Sequence, residues 1–408
     1  MTSPLSHNGR LAALFFAACA SLYTITVKAQ DENRVLVLCE GGFYFDTGEV
    51  IEWPTLGVYT EADGTYEVLK TYYGHHFASD LLVEGDDLYV AAEDTVYHYD
   101  VNTYALIASQ PVDGARKLAI WNDALLVSRG DFNPVTWAPV SFESYLQWFD
   151  REDLSWMGES PTSSGPSFSG AGVVIEGNTA HMIINNGFDW GMEVGLVGHI
   201  DLITGAYTET DLGVNGLNPI HLFASENGLV TVNTMQYAST SLSRVAGGIA
   251  TTEMVADVSA GCGAASLWAE NLVFQISGET TVRVHGTDDL TASGSWGAGE
   301  TEFYGMASSV AWDRVFAGST DFVTTGGVSV FNISGELQTS FATGLAPGHF
   351  ALVAGPNAIA DAPASLLPRV EVARCDLMGR RISAAIPAAG LVVVRYADGT
   401  ASVQRILD

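Results

Sequence analysis

Self-similarity at a spacing of about 37 to 55 residues constrains this chain more than any other feature of its sequence. A segment that recurs at such a period is one supersecondary unit that cannot bury its apolar face alone and must stack on copies of itself. The clearest unit runs from Ser79 to Val112. Asp80 to Glu84 reads as a strand, Gly85-Asp86-Asp87 as a tight turn, Leu88 to Ala92 as a second strand, Thr95 to Tyr99 as a third and Ala105 to Gln110 as a fourth. Side-chain character alternates with the period of strands. The same order returns in Arg116 to Met157, Ala171 to Leu212, Ile220 to Ala256, Gly263 to Trp296 and Tyr304 to Phe341.

Six complete units leave a remainder split between the chain ends. Arg34 to Leu69 supplies three strands, the strongest being Arg34 to Cys39, and Gly348 to Ala354 supplies one. Pairing Gly348 to Ala354 with Arg34 to Cys39 completes a seventh unit and closes a ring, which removes the open sheet edges that a linear array would keep. The expected fold is all-β: a seven-bladed β-propeller of four-stranded blades over 30–356, closed by N- and C-terminal strands. The 43 Gly, and only 17 Lys plus Arg in 408 residues, suit strands and turns better than amphipathic helices. A net charge of −30 argues against nucleic acid, whose phosphates require clustered Lys and Arg.

The two termini differ from the repeats. Residues 1–29 carry Arg10, the apolar run Leu11 to Leu22 and then Val27-Lys28-Ala29, the pattern of a secretory signal peptide, with maturation expected near Gln30. A lipoprotein junction at Cys19 competes with it, but Phe16 fits poorly three residues ahead of that cysteine. No segment has the roughly 20 apolar residues of a transmembrane helix. Beyond Cys19 only Cys39, Cys262 and Cys375 remain, too dispersed for a disulfide framework. Six of the basic residues (Arg369, Arg374, Arg380, Arg381, Arg395 and Arg405) crowd the last 40 positions. With Pro356, Pro363 and Pro368 ahead of them, they mark a linker at 357–369 and a separate β-module at 370–408.

Two resemblances attach to particular residues. The run Val372 to Ile382, with its Asp376-Leu377-Met378-Gly379-Arg380-Arg381 element, followed by Ala389 to Arg395, Asp398-Gly399 and Val403 to Leu407, resembles the type IX secretion sorting domain. It implies three short strands, with turns at Met378-Gly379 and Asp398-Gly399, that engage the secretion machinery. The Pro-Asn-Pro opening common in that family is absent, so a shortened signal or a plain β-module stays open. Val35 to Gly42, Asp87 to Val90, Tyr99 to Thr103, Gly114 to Ile120 and Leu125 to Ser128 resemble bacterial surface β-propellers of the YVTN repeat type. Some members of that type stand beside outer-membrane uptake systems and capture nutrients such as corrinoids, so the resemblance implies a surface location and possible capture. Fold alone does not fix function.

In such a blade, turns between strands one and two and between strands three and four share one face; the other connections share the opposite face. The first kind is short here. The connections between strands two and three are long and aromatic: Phe43-Tyr44-Phe45 with Trp53, then Phe132, Trp137, Phe142, Tyr145 and Trp148, then Phe188 and Trp190, and Phe322. Long loops bearing large apolar groups suggest a ligand-facing surface, although the same rings could simply cap their blades. Residues at the start of each first strand should line the channel mouth: His76, Phe77 and Ser79, Arg116 and Lys117, His221, Cys262, Tyr304 and His349. Arg116 stands out, being one of nine basic residues between Gln30 and Pro356. Its guanidinium is either a rigid fork for carboxylate or phosphate or a buried partner of an acid such as Asp80. His75, His76, His221 and His349 have no metal-ligand spacing, and no metal or other cofactor is expected.

Motifs for a nucleophilic elbow, a zincin, a phosphate loop or a calcium loop are absent, and no catalytic residue can be nominated. The leading expectation is a secreted or surface-attached binding protein for a small molecule, a glycan or a surface protein. Its ligand-binding candidates are Arg116, His76, His221, Tyr304, His349, Phe45, Trp137, Trp148 and Trp190. An extracellular lyase, lactonase or hydrolase acting at the channel mouth is the rival, favoured if carboxylates and histidines meet there. An adhesion or assembly scaffold, needing a broad aromatic patch and no pocket, is the third.

Overall fold

The computed structural model describes residues 32–45, 47–299 and 301–355, together with the backbone of three strands further on. The signal peptide expected at 1–29, the linker expected at 357–369 and the turns expected at Met378-Gly379 and Asp398-Gly399 lie outside the described residues.

Seven antiparallel four-stranded sheets stand in a ring, and no helix occurs among the described residues. Blade one comprises Ala78–Glu84, Asp87–Ala92, Thr95–Asp100 and Leu106–Pro111; blade two Ala115–Trp121, Ala124–Arg129, Ser144–Asp150 and Trp156–Pro161. Blade three comprises Gly170–Glu176, Thr179–Ile184, Leu196–Asp201 and Tyr207–Asp211; blade four Pro219–Ser225, Gly228–Asn233, Thr240–Ala246 and Ile249–Ala256. Blade five comprises Ala265–Trp268, Asn271–Gln275, Thr281–Gly286 and Ala292–Gly297; blade six Phe303–Ser309, Arg314–Ser319, Gly327–Phe331 and Leu337–Ala342. Blade seven joins the two ends: Pro347–Val353 pairs with Arg34–Cys39, followed by Thr55–Thr60 and Thr65–Thr71. Its register sets Arg34 opposite Val353, Leu36 opposite Ala351 and Leu38 opposite His349, the closure expected from the sequence. First strands contact one another in order around the ring, from blade one through blade seven and back.

Core packing lies between blades. The second strands are buried on both faces, so Val35 to Cys39 and Leu88 to Ala92 read as unbroken apolar runs rather than alternating ones. Leu36, Leu38, Leu56, Leu88, Val90 and Tyr99 form the seam between blades seven and one. Burying each such leucine stabilises the fold by about 1.5–3 kcal/mol.

The turns decide which face is which. Asp100, Asp150 and Asp201 each close the turn after a third strand, accepting from the N–H groups two and three residues on. The residue four positions on then takes a left-handed conformation, as at Tyr104 (φ 56°), Leu154 (φ 59°) and Gly205 (φ 72°). These turns are bonded to the turns after the first strands: Val101 N–H donates to Asp86 O at 2.8 Å, Arg151 N–H to Asp123 O at 3.0 Å and Leu202 N–H to Asn178 O at 2.8 Å. The aromatic connections therefore rise on the other face.

In six blades the first strand carries a bulge. The ladder slips between Ala78 and Asp80, Ala115 and Leu118, Gly170 and Gly172, Pro219 and His221, and Phe303 and Gly305, and again beside Gly348. A bulge leaves residues unpaired and re-aims side chains. Arg116, Lys117 and Tyr304 are turned towards the channel in this way.

The backbone after the propeller forms a three-stranded antiparallel sheet of Glu371–Cys375, Gly390–Tyr396 and Ala401–Ile406.

Candidate functional site

Two connected cavities occupy the channel. One, of about 270 Å³, opens at the aromatic-loop face and is lined by Glu40, Arg116, Phe188, Tyr237, Cys262 and Tyr304 among others. The deeper one, of about 260 Å³, includes Asp80, Met306 and Phe350, and the two share Lys117, His221, Tyr304 and His349. Four of the expected residues, Arg116, His221, Tyr304 and His349, thus meet at one place.

A residue that sequence reasoning missed organises them. Glu40 follows the second strand of blade seven and accepts from the Tyr304 hydroxyl at 2.7 Å and from His349 Nε2–H at 2.9 Å. Burial pulls the Glu40 carboxyl upward, but His349, Tyr304 and Lys117 together hold it below the ordinary carboxylate value. The Tyr304 phenol is pushed far up, first by burial and then by the Glu40 charge, and stays protonated. Lys117 Nζ donates to Ser79 O at 2.8 Å and lies 3.4 Å from His349 Nδ1 and 3.7 Å from Asp80 Oδ1. Asp80 Oδ2 accepts from Leu118 N–H at 2.8 Å. His221 donates Nε2–H to Gly263 O at 2.6 Å, and burial, with Lys117 and His349 nearby, brings its pKa down to about 4. It is neutral at physiological pH.

Arg116 is not paired with Asp80. Its guanidinium lies 5.3 Å from the Phe77 ring centroid and 5.1 Å from that of Phe188, and among the described residues it makes no ion pair or hydrogen bond. Burial draws its pKa down while Glu40, Tyr304, Asp131 and Asp80 draw it back up, and an arginine in this state remains charged. Cys262 is exposed at the mouth, yet the surrounding protein and the Glu40 charge raise its thiol pKa, so it is a poor nucleophile.

Above the mouth the aromatic loops meet. Blade one has only a two-residue turn, Glu93-Asp94, between its second and third strands, so the loops of blades seven and two close over it. Phe45 lies 5.8 Å from Trp137 and 6.5 Å from Phe132; Phe132 stacks on Trp137 at 5.5 Å and on Phe188 at 6.3 Å, and Trp137 reaches Trp190 at 6.2 Å. This ridge stays open to water: Phe45 is 60% exposed, Trp137 40% and Trp190 72%. Trp137 (φ 60°), Tyr237 (φ 62°) and Phe322 (φ 60°) hold left-handed backbone, a strained conformation for bulky residues and one that clusters at functional sites.

Three expectations change. Trp148 and Tyr145 belong to the third strand of blade two, not to the loop; the run Tyr145 to Phe149 is apolar enough to be drawn into the sheet. Trp148 packs over Gly158, where a Cβ would meet its Nε1 at 2.7 Å. Phe142 caps its blade, its ring 3.9 Å beneath the Arg129 guanidinium and edge-on to Tyr145. His76 lies on the aromatic ridge rather than in the channel, because Glu93 accepts from its backbone N–H at 2.7 Å and holds its Nδ1 at 3.1 Å, with the Phe43 ring 5.1 Å away. His75 is tied to Tyr97 and Asp94, so the four histidines do not converge.

No family model and no curated protein matches the sequence. Among solved structures the chain is similar to the computationally designed Ika8 protein, with a TM-score of 0.51 at 14% identity, over 93% of this chain and 98% of that one. It is also similar to the hydrazine synthase of Kuenenia stuttgartiensis, with a TM-score of 0.54 at 12% identity, over 69% of this chain and 90% of that one. At such identities these likenesses establish the fold, and with the seven sheets they show a seven-bladed β-propeller.

Proposed function

We propose that the chain is a secreted or surface-attached binding protein that takes up its ligand on the aromatic-loop face, over the mouth of the central channel. The observation that carries this reading is the ridge from Phe45 through Trp137 to Trp190. Water-exposed rings on these loops, with Trp137 in left-handed backbone, are hard to explain as blade caps, since packing gains do not offset their exposure. A cavity beneath the ridge favours a small molecule or glycan end over a purely adhesive face. The leader-like start and the sorting-like C-terminal strands support export. Titrating the full chain with neutral oligosaccharides and with indole, while following tryptophan emission, tests the reading. Saturable changes lost on Trp190→Ala are expected; no response to any probe would sink it. Deleting 370–408 should retain the protein inside the producing cell.

A catalytic reading rests on one observation, the meeting of Glu40, Tyr304 and His349 within hydrogen-bond reach. Both ring nitrogens of His349 are engaged, one by Glu40 and the other facing Lys117, which leaves no free lone pair for proton abstraction and makes binding the better reading. Turnover of a lactone or uronide abolished by His349→Ala would reverse that order.

A further inference from the structure

We propose that Arg116 seats the carboxylate of a small monoanionic ligand at the channel mouth, with the ring body of that ligand lying against the Phe188 end of the aromatic ridge. This rests on the reading that the aromatic-loop face binds a ligand. Phe77 and Phe188 both lie against the guanidinium, with ring centroids 5.3 and 5.1 Å from Cζ, and its N–H groups meet no acceptor among the described residues. Every acid near enough to act on it is committed elsewhere. Glu40 is held by Tyr304 and His349, Asp80 by Leu118 N–H and Lys117, and Asp131 Oδ1 accepts from Phe132 N–H at 2.8 Å. By contrast Arg151, Arg283 and Arg314 each pair with a carboxylate of the chain. A guanidinium held against two rings with its N–H groups unmet matches the two oxygens of a carboxylate.

The neighbouring charges select a monoanion. Lys117 already stands beside Asp80, and the Glu40 charge acts on Arg116, so a dianion there would set its second charge against Glu40. The chain's net charge of −30 disfavours polyanions further. A cavity of about 270 Å³ admits a ring-sized group. An aromatic acid and an acidic sugar share this chemistry.

Calorimetric titration of the full chain with benzoate and with glucuronate, against benzamide, glucose and inorganic phosphate, tests the assignment. At least one carboxylate should bind about tenfold or more tighter than its neutral counterpart, and which one does so distinguishes the aromatic from the sugar source. Arg116→Gln should erase that preference without lowering the melting temperature, and Arg116→Lys should restore only part of it. Equal binding of acid and neutral probe, a preference that survives Arg116→Gln, or phosphate binding tighter than either carboxylate would overturn it. If neutral probes bind the ridge and are lost on Trp190→Ala while no acid preference appears, the carboxylate assignment fails and the binding face stands. If no probe binds, both fail.

Discussion

The Tyr304 hydroxyl donates to Glu40 Oε2 at 2.7 Å across 264 positions of sequence, joining the first strand of blade six to the exit of the second strand of blade seven. This bond and the His349 bond on the other carboxylate oxygen pin the last inner strands of the ring to residues from its beginning. Glu40→Gln should lower stability by about 1–3 kcal/mol at neutral pH, since a charge-assisted pair is lost and a donor is left facing a donor. Because the folded-state pKa of Glu40 lies below the ordinary value of 4.5, its contribution is present above that pH and is lost as pH falls through the folded value. Unfolding free energies of wild type and variant should therefore converge as pH falls through that folded value. A gap that persists there would contradict the charge-based account.

Inner strands converge at the channel, and small residues make that approach possible. A Cβ on Gly305 would lie 2.4 Å from Gly348 O, a backbone atom that cannot swing aside. Gly305→Ala should destabilise the protein by about 1–3 kcal/mol through forced separation of blades six and seven, read by denaturant unfolding. A neutral result would mean that the seam is softer than its geometry requires.

Trp137 separates stability from binding. Its left-handed backbone suits glycine better than tryptophan, and its side chain is partly in water. Trp137→Gly should leave the unfolding free energy within about 1 kcal/mol of wild type while weakening any ligand that uses the ridge. Substantial destabilisation with unchanged binding would make Trp137 a blade cap instead.

Two histidines set an acid-side dependence. Burial, with Lys117 and His349 nearby, holds His221 at about 4, and burial with the neighbouring His199 holds His181 at about 4, against an ordinary 6.5. Between those values the unfolded chain takes up protons that the folded chain refuses, so stability is full above about pH 6.5 and declines as pH falls towards 4. His221→Gln, which keeps a donor for Gly263 O, should reduce that decline in the melting temperature between pH 7.5 and about pH 5. An equal decline in both proteins would show that His221 does not contribute.

Much of the propeller was legible because its signals are local. The strand, tight turn and strand order of Asp80 to Ala92 returns in each later unit, and the unmatched strands at the two ends demand closure. The same register placed Arg116, Tyr304 and His349 near the axis. Trp148 was misplaced because an aromatic residue beside a long loop looks like part of it, and only pairing with Leu126 and Gly158 puts it in the sheet. Glu40 was overlooked because it leaves a second strand rather than starting a first one.

By itself the sequence determined the blade count, the closing pair of strands and the two unlike faces, since periodicity, turn chemistry and loop length are properties of adjacent residues. Tertiary structure alone decided that Arg116 stands unpaired beside Phe77 and Phe188 while Glu40 is consumed by Tyr304 and His349. That choice depends on distances across the channel between residues from three blades and two loops, and on bulges that aim their side chains. A linear pattern does not encode which of several nearby acids ends up within 3 Å of which donor.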